Sequence, residues 1–329
     1  MLWIHKILCK LKPYRLFIEW TKVIILPGFS PLPLYTVASF FFMEISKDSL
    51  VNKASSLAYN FMLAIFPGII FLFTLIPYIP VNGFQDQLME LISLILPGNA
   101  YLAVESTLED IVKIQNSGLL SFGFFASLFF ATNGIHTLMQ TFNKSSLIIE
   151  SRSWLRQRMV ALTLTLLMVF ALVSGLVIII AGEYVFGYLQ SETSFKDSFW
   201  VYVIDSARWL TLTLIYFITT SMLYRYGPAT PKKWKFFSAG SWLATILAVL
   251  TFWGFSFYIQ NFGNYNKVYG SIGTLIVIMI WLYLNSLIIL IGFELNASID
   301  LSKRSIKIVK PNFNSFKAPV DEKLEAKKL

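Results

Sequence analysis

Charged side chains are scarce in this chain. Asp, Glu, Lys and Arg make up 14% of its 329 residues, against about 25% in an ordinary soluble domain. So little charge cannot cover a 37.6 kDa globule in water, which all but excludes a soluble single domain. Cysteine is scarcer still. Cys9 stands alone, so there is neither a disulfide framework nor a thiolate metal site. Only two histidines are present, His5 and His136, and an imidazole-based metal or catalytic centre has almost nothing to draw on. No Gly-rich phosphate loop occurs, so ATP-driven pumping by this chain alone is not expected. No cofactor and no metal are implied.

Apolar side chains are abundant, at 56% of residues with 30 Phe among them. That excludes disorder and leaves a membrane protein. A spanning helix needs about 20 apolar residues. Six stretches supply them, at 57–79, 119–141, 160–182, 203–224, 238–259 and 272–295. A seventh, 24–43, is broken by Pro27, Gly28, Pro31 and Pro33. Proline removes backbone donors and lipid cannot replace them. This stretch therefore reads as a turn leading into a short helix over 34–45, lying in or against the membrane.

The net charge of +9 suggests nucleic acid in a soluble protein and sidedness in a membrane protein. The placement of the basic residues decides. From the N-terminus through the successive connections to the C-terminus they number 7, 1, 4, 1, 4, 1 and 8, and only Arg208 falls within a span. Such alternation is what the positive-inside rule asks of six spans with both termini cytoplasmic. The fold class is therefore all-α: a polytopic membrane protein with six transmembrane helices and interfacial amphipathic helices. The chain divides into an N-terminal cytoplasmic or interfacial region (1–53), a six-helix membrane domain (54–300), and a basic cytoplasmic tail (301–329) read as disordered. In the first region Trp3, Ile4, Ile7, Leu8 and Leu11 share one helical face, with Lys6 and Lys10 off it, as in a helix for an anionic inner leaflet. The outer connection 80–118 carries helical periodicity interrupted at Pro97-Gly98, which predicts two amphipathic helices.

Several polar residues fall within the predicted spans, where they usually face protein or water. Asn133, His136, Thr137 and Gln140 form one stripe, either the wall of a hydrophilic cavity or translocation path, or interhelical hydrogen bonding. Pro67, followed by Gly68, marks either a broken helix at a transport site or a plain kink. Asp205 and Arg208 can pair with each other, or Arg208 can hold an anionic headgroup. In the last span Trp281, Asn285, Gly292 and Asn296 share a face, with Asn285 a further cavity candidate. Glu294 points elsewhere on a straight helix and reads as a structural ion pair or cap, with Arg225 or another inner-loop basic residue as its partner.

Five elements in order resemble the YihY/BrkB family of bacterial inner-membrane proteins, long mislabelled ribonuclease BN. They are Ala54-Ser55-Ser56-Leu57-Ala58-Tyr59 followed by Phe66-Pro67, the basic run Arg152 to Arg158, Tyr224-Arg225-Tyr226-Gly227-Pro228, Tyr269-Gly270-Ser271-Ile272-Gly273-Thr274, and Gly292-Phe293-Glu294-Leu295-Asn296. The resemblance implies a bacterial inner (plasma) membrane location and a role in envelope integrity, with export or distribution of lipids such as lipopolysaccharide precursors and phospholipids. It supplies no catalytic residues.

The expected function is therefore a transporter or translocation factor for lipids or other envelope amphiphiles, with a non-transporting envelope scaffold as the alternative. An enzyme is not expected. A ribonuclease needs clustered carboxylates or a His pair, and the inner face offers only scattered acids. The expected partners are membrane lipids, including an anionic lipid or a lipopolysaccharide-type amphiphile. Nucleic acid is not expected, and a homo-oligomer is allowed.

Overall fold

Within lipid a backbone must satisfy its own N–H and C=O groups, which leaves helices for a chain of this composition. The computed structural model describes residues 12–309 apart from 26–28, 30–31, 48, 81–82, 96–97, 146, 192–197, 231–232 and 262–270. The described residues form helices, one 3-10 turn and connections, with no strand. In chain order the helices are α1 (Lys12–Val23), α2 (Leu34–Lys47), α3 (Leu50–Leu75), α4 (Phe84–Ile95), α5 (Gly98–Lys113), α6 (Ser117–Ser145), α7 (Trp154–Ser191), α8 (Ser198–Tyr226), α9 (Ala239–Asn261) and α10 (Ser271–Val309). The amphipathic stretch before residue 12 and the tail from 310 lie outside the described residues.

Helices α3, α6, α7, α8, α9 and α10 close a ring. Each packs on its neighbour in this order, and α10 returns to α3. The ring is apolar outside. Leu166, Phe170, Val173, Val177 and Ile180 of α7 are exposed at helical spacing, as are Trp242, Ile246, Leu250, Trp253 and Phe257 of α9. Thr165, Thr220, Ser241, Thr245, Ser286 and Asn296 are buried. That distribution suits lipid rather than water as the surrounding solvent.

Among the described residues, five helices are long and apolar enough to cross a membrane: α3, α6, α7, α9 and α10. The sixth expected span falls in α8, which has the length, at 29 residues. Its apolarity is diluted by Arg208 and by Thr211, Thr213, Thr219 and Thr220, so it is not one of the five. Two other boundaries differ from the sequence reading. Helix α3 runs unbroken through Pro67, so no broken helix stands at that position. Helix α10 continues to Val309, nine residues past the boundary drawn at 300. Buried Ala297, Ser298, Ile299 and Ser302 hold this extension against the protein, and an Asp300–Arg304 ion pair spans one of its turns.

The N-terminal region docks on that extension. Phe29, Leu32 and Val37 of the turn and α2 bury together with Ile299 of α10. The connection 80–118 carries α4 and α5, tied by Lys113, whose Nζ lies 3.2 Å from both Asp86 and Glu109. Those two carboxylates, Asp86 foremost, raise the Lys113 pKa above its ordinary value.

Candidate functional site

The Tyr224–Pro228 and Gly292–Asn296 elements meet at one end of the ring. Phe142 of α6 stacks on Phe293 of α10, with ring centroids 3.8 Å apart and planes 6° apart. Tyr224 closes edge-on to both at 5.8 Å, and Trp234 leans on Phe293 at 5.0 Å. The Tyr224 hydroxyl donates to the Ile289 carbonyl at 2.7 Å. The first α9 N–H groups lack intrahelical acceptors, and α10 supplies one. Asn296 Oδ1 accepts from Gly240 N–H at 2.8 Å, while its Nδ2 donates to Ser238 Oγ at 2.8 Å. Gly292 permits this approach, since a Cβ there would lie 2.5 Å from the Tyr224 hydroxyl and 2.7 Å from the Gly240 carbonyl.

The loop between α6 and α7 locks onto the same end. Arg152 Nε and Nη2 donate to the two Glu150 oxygens at 2.8 and 2.7 Å, and Nη2 also reaches the Gly227 carbonyl at 3.0 Å. Asn143 Nδ2 donates to Glu150 at 2.7 Å and its Oδ1 accepts from Ala229 N–H at 2.7 Å. The Arg152 side chain holds the Glu150 carboxyl below its ordinary pKa, with its backbone N–H and Asn143 helping. Every partner here is satisfied within the protein, as in a structural latch.

A different arrangement lies within the helices. Asn133 of α6 joins two neighbours: its Nδ2 donates to Asn60 Oδ1 of α3 at 3.2 Å, and its Oδ1 accepts from Arg158 Nη1 of α7 at 3.4 Å. Asn60 passes the chain on, its Nδ2 donating to the Ser56 carbonyl at 2.8 Å. Gly134 allows α3 this close, since a Cβ would sit 3.0 Å from the Phe61 ring. One turn along, Gln140 Nε2 meets His136 Nε2 at 3.2 Å, and His136 Nδ1 is buried without a hydrogen-bond partner. Thr137 donates to the Asn133 carbonyl at 3.0 Å. The predicted stripe is thus one polar ladder. Gln140 is exposed, and Asn60, Asn133 and Arg158 are half-buried.

Asn285 does not join this ladder. Its Nδ2 donates to the Trp281 carbonyl at 2.8 Å. It lines a cavity of about 150 Å³ between α8, α9 and α10, with Trp209, Tyr216, Thr245 and Phe252. A larger cleft of about 510 Å³ adjoins it at Phe252 and Trp281. Pro67 lies half-buried along α3. Arg208 packs along α7, where a Cβ on Gly182 would be 3.3 Å from its Cδ; the Asp205 side chain lies outside the described residues. Glu294 is buried at 1% exposure; Arg225 donates to the Trp234 carbonyl at 3.1 Å and lies over the Tyr226 ring. Among the described residues no three of His, Cys, Asp and Glu gather as a metal site requires. Asn60 and Arg158 are the ladder members that sequence reasoning left out. Asn60 sits beside Tyr59 in the Ala-rich element, and Arg158 ends the basic run that begins at Arg152.

The profile of the virulence factor BrkB family matches residues 41–312. The chain belongs to this family. The chain is similar to a putative ribonuclease-like protein, YfkH, of Bacillus subtilis, 34% identical over 77% of this chain and 91% of that protein's length. UPF0761 membrane proteins of Xanthomonas campestris and Xanthomonas axonopodis are 26% identical over 79% of this chain, and the chain spans 60% of their length. No solved structure matches. With its apolar helices, this BrkB-family chain is a multi-pass membrane protein.

Proposed function

We infer that the chain crosses the bacterial inner membrane six times, with both termini cytoplasmic, and moves a lipid or another envelope amphiphile between leaflets. The observation that carries the reading is the polar ladder, in which Arg158, Asn133 and Asn60 join three helices whose outer faces are apolar. Polar groups within apolar helices carry a cost and commonly line a path for polar cargo.

Six spans are supported by the place of α8 in the ring, between α7 and α9. They are also supported by its threonines. Thr211, Thr213 and Thr219 each donate to the carbonyl four residues back, which satisfies the hydroxyl inside the helix. Hydropathy counts each as fully polar, so α8 tolerates lipid better than its composition suggests. With Cys9 replaced by Ser, single cysteines report sidedness: one at Glu109 is expected to react with an impermeant maleimide added to cells, and one at Arg156 is not.

The test of translocation is purified full-length protein in liposomes carrying labelled phospholipid in one leaflet. Faster exchange between leaflets than in protein-free liposomes is expected. Unchanged exchange for phospholipid and lipopolysaccharide-type lipid alike counts against translocation. A scaffold is the second reading, favoured by the hydrogen bonds that Gln140 makes to His136 and Asn285 makes to the Trp281 carbonyl within their own helices; it predicts that Asn133→Leu and Gln140→Leu leave envelope function intact. The reading is non-enzymatic, and highly purified protein is expected to be inactive in a metal-dependent nuclease assay.

A further inference from the structure

Arg158 carries a charge that no carboxylate partners among the described residues. It belongs to the basic loop counted for topology, yet its guanidinium turns to Asn133 in the neighbouring helix. No carboxylate lies within ion-pair distance of it among the described residues, whereas Arg152, Lys113 and Arg304 each have one. The acid on its own loop, Glu150, is held by Arg152 and Asn143. Its hydrogen bond to Asn133 is long, at 3.4 Å, and a guanidinium carries five N–H donors. Asn133 and Asn60 orient toward it as a polarised chain. The exposed ring of Trp154 lies beside it, 6.0 Å from the guanidinium carbon. A cation among polar neighbours at the edge of an apolar bundle, with an exposed aromatic beside it, has the makings of an amphiphile headgroup site.

We propose that Arg158, supported by Asn133 and Asn60, binds the phosphate group of an anionic ligand, its planar fork gripping two phosphate oxygens. This deepens the translocation reading and rests on it for its biological sense, but the binding is measurable by itself. The ligand source is a lipid headgroup or free phosphate, and competition separates the two.

The experiment uses full-length protein in detergent with fluorescent phosphatidylglycerol, read by anisotropy. Arg158→Ala is expected to weaken binding about tenfold or more, the usual scale for losing hydrogen bonds to a charged group. Arg158→Lys, which keeps the charge and guards against a folding defect, is expected to weaken it several-fold because the fork is lost. Arg156→Ala removes the same charge two residues away, from an exposed side chain, and is expected to leave binding unchanged. Diacylglycerol of the same chains should not compete. Displacement by inorganic phosphate assigns the site to free phosphate, and resistance to it assigns the site to a headgroup. The proposal is overturned if Arg158→Ala binds as wild type, if Arg156→Ala weakens binding equally, or if diacylglycerol competes as well as phosphatidylglycerol. Leaflet exchange is measured on the same variants. Exchange without Arg158-dependent binding overturns the site alone, and Arg158-dependent binding without exchange overturns translocation alone.

Discussion

Gly240→Ala tests whether the α9–α10 contact holds the ring closed. The new Cβ would overlap the Gly292 carbonyl oxygen and sit 2.7 Å from the Asn296 amide. The Gly292 oxygen belongs to the backbone and cannot swing aside, so the helices must separate. Overpacking of this kind costs about 1–3 kcal/mol. Separation also breaks the Gly240 N–H bond to Asn296, leaving a buried donor at a further cost of about 1–3 kcal/mol. Alanine returns about 1 kcal/mol of helix propensity. The net is a loss of about 3 kcal/mol, a fall of roughly 6–12 °C in thermal midpoint at the scale of larger domains. Gly254→Ala is the internal control. It lies on the same helix with nothing within 4 Å of its would-be Cβ, so only the propensity gain applies. Both variants are heated in detergent and scored by the fraction surviving size-exclusion chromatography, because membrane-protein unfolding is commonly irreversible. A Gly240→Ala midpoint within about 2 °C of Gly254→Ala refutes the close contact.

The remaining predictions use the same readout. Phe293→Ala removes the stacked partner of Phe142 and is expected to cost about 3–5 kcal/mol, the largest single loss at that end of the ring. Tyr224→Phe deletes only the donor to the Ile289 carbonyl; a cost of about 1 kcal/mol is expected, and a loss as large as that of Phe293→Ala contradicts it. The Glu150 carboxyl is depressed by Arg152, so its contribution is fully present above the unfolded carboxyl pKa of about 4.3 and is lost as pH falls through the lower folded value. Wild-type stability should therefore fall more steeply than that of Glu150→Gln as pH drops below about 5. Parallel pH profiles contradict the latch.

Residue sums recover helices well where a helix faces one environment along its length. The short helix Leu34–Ile45 and the break between α4 and α5 follow from where proline and glycine interrupt an apolar pattern. Sums fail where the deciding quantity is a direction. Arg158 counts as one basic residue in a loop whichever way its side chain turns, and only its approach to Asn133 separates it from the exposed Arg156. Threonines in α8 count as polar whether or not their hydroxyls are bonded within the helix. Pro67 counts as a breaker, although α3 runs through it.

The same limit explains why Asn133 and Asn285 do not share a cavity. Their convergence depends on how α6 and α10 are rotated about their own axes, and small residues set those rotations. Gly123 and Gly134 let α6 press on α3, the first against the Phe71 backbone and the second against Phe61, and so turn Asn133 toward Asn60. Gly292 presses α10 on Gly240 and Ala244 of α9, and the face it shares with Asn285 turns the same way. The two polar faces therefore answer to different partners. The headgroup site proposed above therefore lies along α6, between α3 and α7, apart from the aromatic cleft beside Asn285.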